Sequence, residues 1–166
     1  VLFQMMQYSD IIFGDQNEWE VASGVPHIPF EALDADYEID KEAYLEYFRK
    51  MHQLFPKCKK MVMAVRNQIA SSHHTLSGLL YDAVEDQLYT TRIYDIEPIV
   101  DPMGVGDAFI AAYIHAHQKW GDKNQYCLDF SLSASAIKNT VPGDQNLVTE
   151  EEIINNMTSS GCRIQR

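Results

Sequence analysis

At 166 residues, 46% of them apolar, the chain is long enough for one domain with a sizeable core and too hydrophobic for disorder. Twenty-four acids against 13 bases leave a formal net charge of −11, which disfavours a sequence-independent grip on nucleic acid. No stretch approaches the roughly 20 apolar residues of a membrane span, and VLFQMMQYSD lacks the basic flank and cleavage site of a secretory signal.

Cys58, Cys127 and Cys162 are far apart and fit no metal spacing, so they read as free thiols. The expectation is a cytoplasmic protein with neither a nucleic-acid nor a membrane partner. A nucleotide is not excluded, since a few backbone amides can hold phosphates locally.

In chain order, VLFQMMQY reads as the tail of an amphipathic helix and DIIFG (10–14) as a short apolar strand. DQNEWEVASG follows as a helix closed by Gly24. Residues 25–40 hold two prolines and five acids and read as a solvated connection. KEAYLEYFRKMHQLFP carries apolar residues at helical spacing and stops at Pro56. KMVMAVR is a buried strand, and SGLLYDAVEDQLYTTRIYDI alternates like antiparallel strands turning near Glu85 and Asp86.

AFIAAYIHAHQKWG is then a helix stopped by Gly121, and QYCLDFSLSASAIKN a second, rich in small residues. TVPGDQNLV is a loop, and Thr149 caps a last helix whose first turn holds Glu150 to Glu152. This alternation predicts an α/β sheet, largely parallel and covered on both faces. Residues 1–158 form the folded part and 159–166 a frayed tail. The chain reads as starting within a helix, one crossover from an earlier strand, like a piece of a larger domain.

The chemistry concentrates in VDPMGVGDAF (100–109). Gly104 and Gly106 permit a turn whose successive N–H groups, with Val105 between them, point into one concavity at a helix start, an anion-binding arrangement. Asp107 would repel that anion unless it faced another atom. A hydroxyl attacking a phosphate is such an atom, with Asp107 accepting its proton. On these four residues alone, Asp107 as a plain helix cap is an equal reading.

The wider string DPMGVGDAFIAAYI resembles the second signature of the PfkB (ribokinase-like) sugar kinases, D-x-x-G-A-G-D-x-F. Asp101, Gly104, Gly106, Asp107 and Phe109 match, and Val105 stands in place of the usual Ala. The resemblance implies a ribokinase-like, Rossmann-like three-layer α/β sandwich. It also implies a partial domain lacking the N-terminal strands and the lid, inactive alone, with an exposed apolar edge that leaves a homo-oligomer open.

By that resemblance Asp107 is the general base, and the amides of Gly104, Val105 and Gly106 form an anion hole for the phosphoryl group. ATP, Mg2+ and a sugar or sugar acid are the implied partners. In some members a residue matching Asp101 lies near a monovalent-cation site, which leaves such a cation open here.

DIIFGDQNEWEVASG resembles the segment whose Asn-x-x-Glu motif organises magnesium through water. Asn17 and Glu20 match by letter, whereas Asp15 and Glu18 match by position between strand and helix. An acidic first turn that merely suits the helix dipole is the alternative.

Arg66 and the Ser/His run after it resemble the branch acting on 2-keto-3-deoxygluconate, as does AIKNTVPGDQNLVT, where Asn139, Pro142 and Gly143 would border the adenine. The fork of Arg66 suits a phosphate or a keto-acid carboxylate, and an exposed structural Arg equally. Ribose, fructose or a nucleoside as acceptor, or a non-catalytic nucleotide-binding module, are the alternatives. His73 with His74, and His115 with His117, point apart and form no chelate.

Overall fold

The computed structural model describes residues 1–29, 35 and 37–159. Cys162, most of the expected tail and part of the 25–40 connection lie outside the described residues. The elements run α1 (Leu2–Met6), β1 (Ile11–Gly14), α2 (Gln16–Ser23), α3 (Lys41–Leu54), β2 (Lys60–Ala70), β3 (His73–Asp82), β4 (Gln87–Thr90), β5 (Tyr94–Ile96), α4 (Val105–Trp120), α5 (Asn124–Lys138) and α6 (Glu150–Thr158).

The helix ends follow local chemistry. Asp15 caps α2 in a reciprocal box with Glu18, Asp40 caps α3, and Thr149 caps α6 in a box with Glu152. Gly24 and Gly121 close α2 and α4 with positive φ.

The strands form one sheet in the order β1-β2-β3-β4, with β5 also pairing β3. The expectation of a largely parallel sheet is corrected here. Only β1 and β2 run parallel among the described residues, and every other pairing is antiparallel. The reason is local. A parallel pair needs a long crossover, which the α2–α3 segment supplies between β1 and β2. After β2 the chain turns on Ser71 and Ser72 and comes straight back as β3. Strand β2 runs on to Ala70, so the Ser/His-rich stretch after Arg66 lies largely in a hairpin, with an irregularity between Gln68 and Ala70.

Strand alternation builds two cores, one on each face. Met61, Met63, Val65, Leu79 and Tyr81 pack with Trp19, Tyr44, Phe48 and Met51 from α2 and α3. Val62, Leu76 and Leu80 pack with Phe109, Tyr113, Leu128, Leu132 and Ile153 from α4, α5 and α6. The result is a three-layer sandwich. Small side chains let α5 approach closely: Gly78 leaves room for Leu128, whose nearest atom would lie 3.2 Å from an added Cβ. Cys58 and Cys127 are buried free thiols, and burial pushes Cys58 up to about 11.

One end of the sheet is fastened by a buried cation. Lys60 Nζ donates to Asp122 Oδ1 at 2.5 Å and Asn124 Oδ1 at 2.7 Å, with Asp82 Oδ2 at 3.9 Å. Asn124 Nδ2 donates to the same Asp82 oxygen at 2.8 Å. Two strands and the α4–α5 turn thus meet on one ammonium.

Candidate active site

A cleft of about 500 Å³ opens where β1 ends and α2 and α4 begin. Its wall includes Gly14, Asp15, Asn17 and Glu18 on one side, Arg66 on β2, and Val105, Gly106 and Asp107 on α4. The topology makes this possible: β1 and β2 are adjacent and parallel, so residues at their C-terminal ends share one rim.

Gly104 is the N-cap of α4, with φ +73° and no side chain to satisfy the amides ahead of it. The first intrahelical bond is Ala108 N to Gly104 O at 2.9 Å. The N–H groups of Val105, Gly106 and Asp107 precede it and are the open donors of the helix start. Helices α2, α3 and α6 close their own N-termini with side chains, but α4 does not.

Gly104 is also sterically required. A Cβ there would sit 2.3 Å from Asp144 O and 2.7 Å from Asp144 Oδ1, because the 140–146 loop lies directly against the turn. Gly106 differs: nothing lies within 4 Å of its absent Cβ. Its hydrogen faces open space at the cleft wall.

Asp107 is exposed in the cleft and makes no hydrogen bond or ion pair among the described residues. As the third residue of α4 it could have capped its own helix, yet it does not. Such a carboxylate is available to another group.

Asp101 sits behind the turn. Its Oδ1 accepts from Met103 N at 2.9 Å and its Oδ2 from Gly143 N at 2.8 Å. These two amides, aided by the charge of Lys138, hold its carboxyl below the ordinary carboxylate range. Asn139 O accepts from Val100 N at 2.8 Å and Asp101 N at 3.2 Å, tying the same two segments together.

No family model and no curated protein matches the sequence. Solved structures do. The 2-dehydro-3-deoxygluconokinase of Thermotoga maritima superposes with a TM-score of 0.81 at 26% identity, over 96% of this chain and 44% of its own. A PfkB family carbohydrate kinase from Listeria grayi matches at 0.74 and 25% identity, over 94% of this chain and 43% of that one. Arabidopsis thaliana ribokinase, solved with ribose and ATP, shares the fold at 0.69 and 19% identity, over 95% and 44%. This chain has the ribokinase-like fold of the PfkB carbohydrate kinases. It spans less than half the length of the kinases it matches.

Within this ribokinase-like chain the expected site residues divide. Asp15, Glu18, Asn17, Arg66, Val105, Gly106 and Asp107 line the one cleft. Glu20 does not. It accepts from His27 N at 3.1 Å and pairs with the His27 ring, which lowers its carboxyl. The register by position therefore puts both its carboxylates at the cleft, while the register by letter puts only Asn17 there. Asp15 and Glu18 each spend one oxygen on the capping box, Asp15 Oδ1 on Glu18 N at 2.8 Å and Glu18 Oε2 on Asp15 N at 3.0 Å. That leaves one oxygen of each for water-mediated contact.

Among the described residues no three His, Cys, Asp or Glu converge as a metal cage. This donor set fits magnesium, which keeps most of its waters. Pro142 and Gly143 are exposed on the loop behind the turn. Asn139 is buried instead, and its Nδ2 donates to Ser135 O at 3.0 Å, so its influence on the site runs through backbone.

Sequence reasoning missed three contributors. Ser135 Oγ donates to Val105 O at 3.0 Å, anchoring α4's first residue to α5. Asp144 presses on Gly104. Lys138 is completely buried at the end of α5. The last carried a signal in the sequence, a lone cation closing the otherwise small and apolar run SLSASAI.

Proposed function

We propose that this chain is the nucleotide-binding, base-bearing part of an ATP-dependent sugar kinase whose acceptor is a sugar acid of the 2-keto-3-deoxygluconate type. The observation that carries the reading is the free Asp107 carboxylate beside the uncapped amides of Val105, Gly106 and Asp107 in one cleft.

The roles follow from the chemistry. The open amides receive the γ-phosphoryl oxygens and the charge that builds on them during transfer. A substrate hydroxyl lined up opposite gives its proton to Asp107 as its oxygen bonds to the γ-phosphorus. The bond from that phosphorus to the β–γ bridging oxygen breaks, and ADP leaves. Holding the partners in line does most of the work.

Asp15 and Glu18 would hold magnesium through water, which neutralises phosphate charge when bound. Arg66 supports the choice of acceptor, since its exposed guanidinium at the cleft can take a carboxylate in two parallel bonds. The acceptor class rests further on the similarity to the 2-dehydro-3-deoxygluconokinase of Thermotoga maritima. Pro142 and Gly143 border the base, with Asn139 fixing their loop. Because the chain spans less than half of such kinases, turnover by these 166 residues alone is not expected.

The test is an ATP-consumption screen of the full-length protein against sugars and sugar acids, beside Asp107→Asn. Transfer to a 2-keto-3-deoxy sugar acid, lost by about 10²–10⁴-fold in the variant while nucleotide binding persists, supports the reading. Unchanged turnover in Asp107→Asn sinks the base role. Preference for ribose, fructose or a nucleoside overturns the acceptor class only. Binding of ATP without any transfer points to a nucleotide-binding module.

A further inference from the structure

Lys138 is 0% exposed, and among the described residues its ammonium makes one hydrogen bond, to Val141 O at 3.0 Å. No carboxylate among them lies within ion-pair distance. A buried ammonium with so few partners is expensive, so a fold that keeps one needs positive charge at that place.

The surroundings show why. The 139–144 loop and the 100–104 segment are tied to each other next to it. Asn139 O receives two amides, and Asp101 bridges Met103 N and Gly143 N with its two oxygens. Asp144 O lies against Gly104. The carbonyl end of α5 adds its own negative pole. Lys138, bonded to Val141 O in that loop, is the cation beside this seam, and its charge reaches Asp101.

The family resemblance leaves room for a bound monovalent cation near Asp101. The residues present fit such an ion poorly, because a fixed ammonium already stands under the same loop. We propose that Lys138 is a positioning residue that serves as the built-in cation of this loop pair. It holds the 139–144 loop against the Gly104 turn, and the chain therefore needs no bound monovalent cation. The consequence for phosphate binding rests on the kinase reading, whereas the ordering of the loops does not.

The test measures thermal stability of the 166-residue chain in tetramethylammonium, potassium and ammonium chloride at equal ionic strength. Wild type should melt at the same temperature in all three. Lys138→Ala should melt lower in tetramethylammonium and recover half or more of that loss in ammonium or potassium, which fit the space the side chain vacates. Leu132→Ala, a cavity in the same helix away from the seam, should show no recovery. So should Lys138→Met, which fills the space without charge.

A Lys138→Ala loss that is equal in all three salts overturns the proposal. If that variant does not fold in any of them, it is overturned likewise. A wild-type melting temperature that rises in potassium alone also overturns it, since the ammonium would then not suffice. A second arm measures affinity of wild type for a non-hydrolysable ATP analogue with magnesium. Affinity within twofold between potassium and tetramethylammonium supports the proposal, and a tenfold gain in potassium refutes it. Absence of any analogue binding counts against the kinase reading and leaves the melting arms to decide this one.

Discussion

Replacing Gly104 with alanine tests the turn on which the site depends. The residue has φ +73°, and an added Cβ would fall 2.3 Å from Asp144 O. Forcing an L-residue into the left-handed region costs about 1–2 kcal/mol. The clash is with backbone, so the 140–146 loop must move, adding about 1–3 kcal/mol by analogy with overpacked sites. The sum, about 2–5 kcal/mol, should lower Tm by roughly 5–15 °C for a chain of this size. Gly106→Ala should do the opposite. It lies within the first turn of α4 with open space at its Cβ position, so it should stabilise by about 0.5–1 kcal/mol. Urea and thermal melts followed by circular dichroism would check both. Equal stability of Gly104→Ala and wild type would refute the claim that the loop and turn are packed as described.

Three further outcomes are expected. Lys60→Met strips the buried ammonium from Asp82, Asn124 and Asp122 and should cost about 3 kcal/mol in urea unfolding, with part recovered in the double variant with Asp82→Asn. Thr149→Ala removes the capping box of α6 and should cost about 1 kcal/mol in the same assay. Asp101 has its carboxyl lowered in the folded chain, so its contribution is complete above the unfolded value of about 3.9 and fades as pH falls through the folded one. The Tm difference between wild type and Asp101→Asn should therefore be constant at neutral pH and shrink below about pH 4. A difference that grows on acidification would reverse that sign.

How much of this was legible depended on whether a signal was local. The helices announced themselves through the Thr149 cap, through the apolar spacing of residues 41–56 and through stops such as Gly24 and Gly121, whereas the Asp15 and Asp40 caps emerged only in the fold. The Gly104–Asp107 turn was legible because glycine at fixed spacing constrains backbone directly. The direction of the strands was not, because the hairpin at Ser71 and Ser72 uses no glycine or asparagine. The competing Asp15–Glu18 and Asn17–Glu20 registers could not be separated by letters. In the fold Asp15, Asn17 and Glu18 line the cleft, whereas Glu20 engages His27. Lys138 and Asp144 act across loops far from the turn in sequence, and no spacing rule reaches that far.

On the proposed function, nucleotide phosphates sit on the open amides of α4's first turn, with Asp107 facing the acceptor side. The most direct measurement is an amide NMR titration of this chain with a non-hydrolysable ATP analogue and magnesium. The largest shifts are expected at Val105, Gly106 and Asp107, with smaller ones at Gly143 and its neighbours, and the same pattern in Asp107→Asn. Saturable binding whose shifts leave that turn untouched would contradict it.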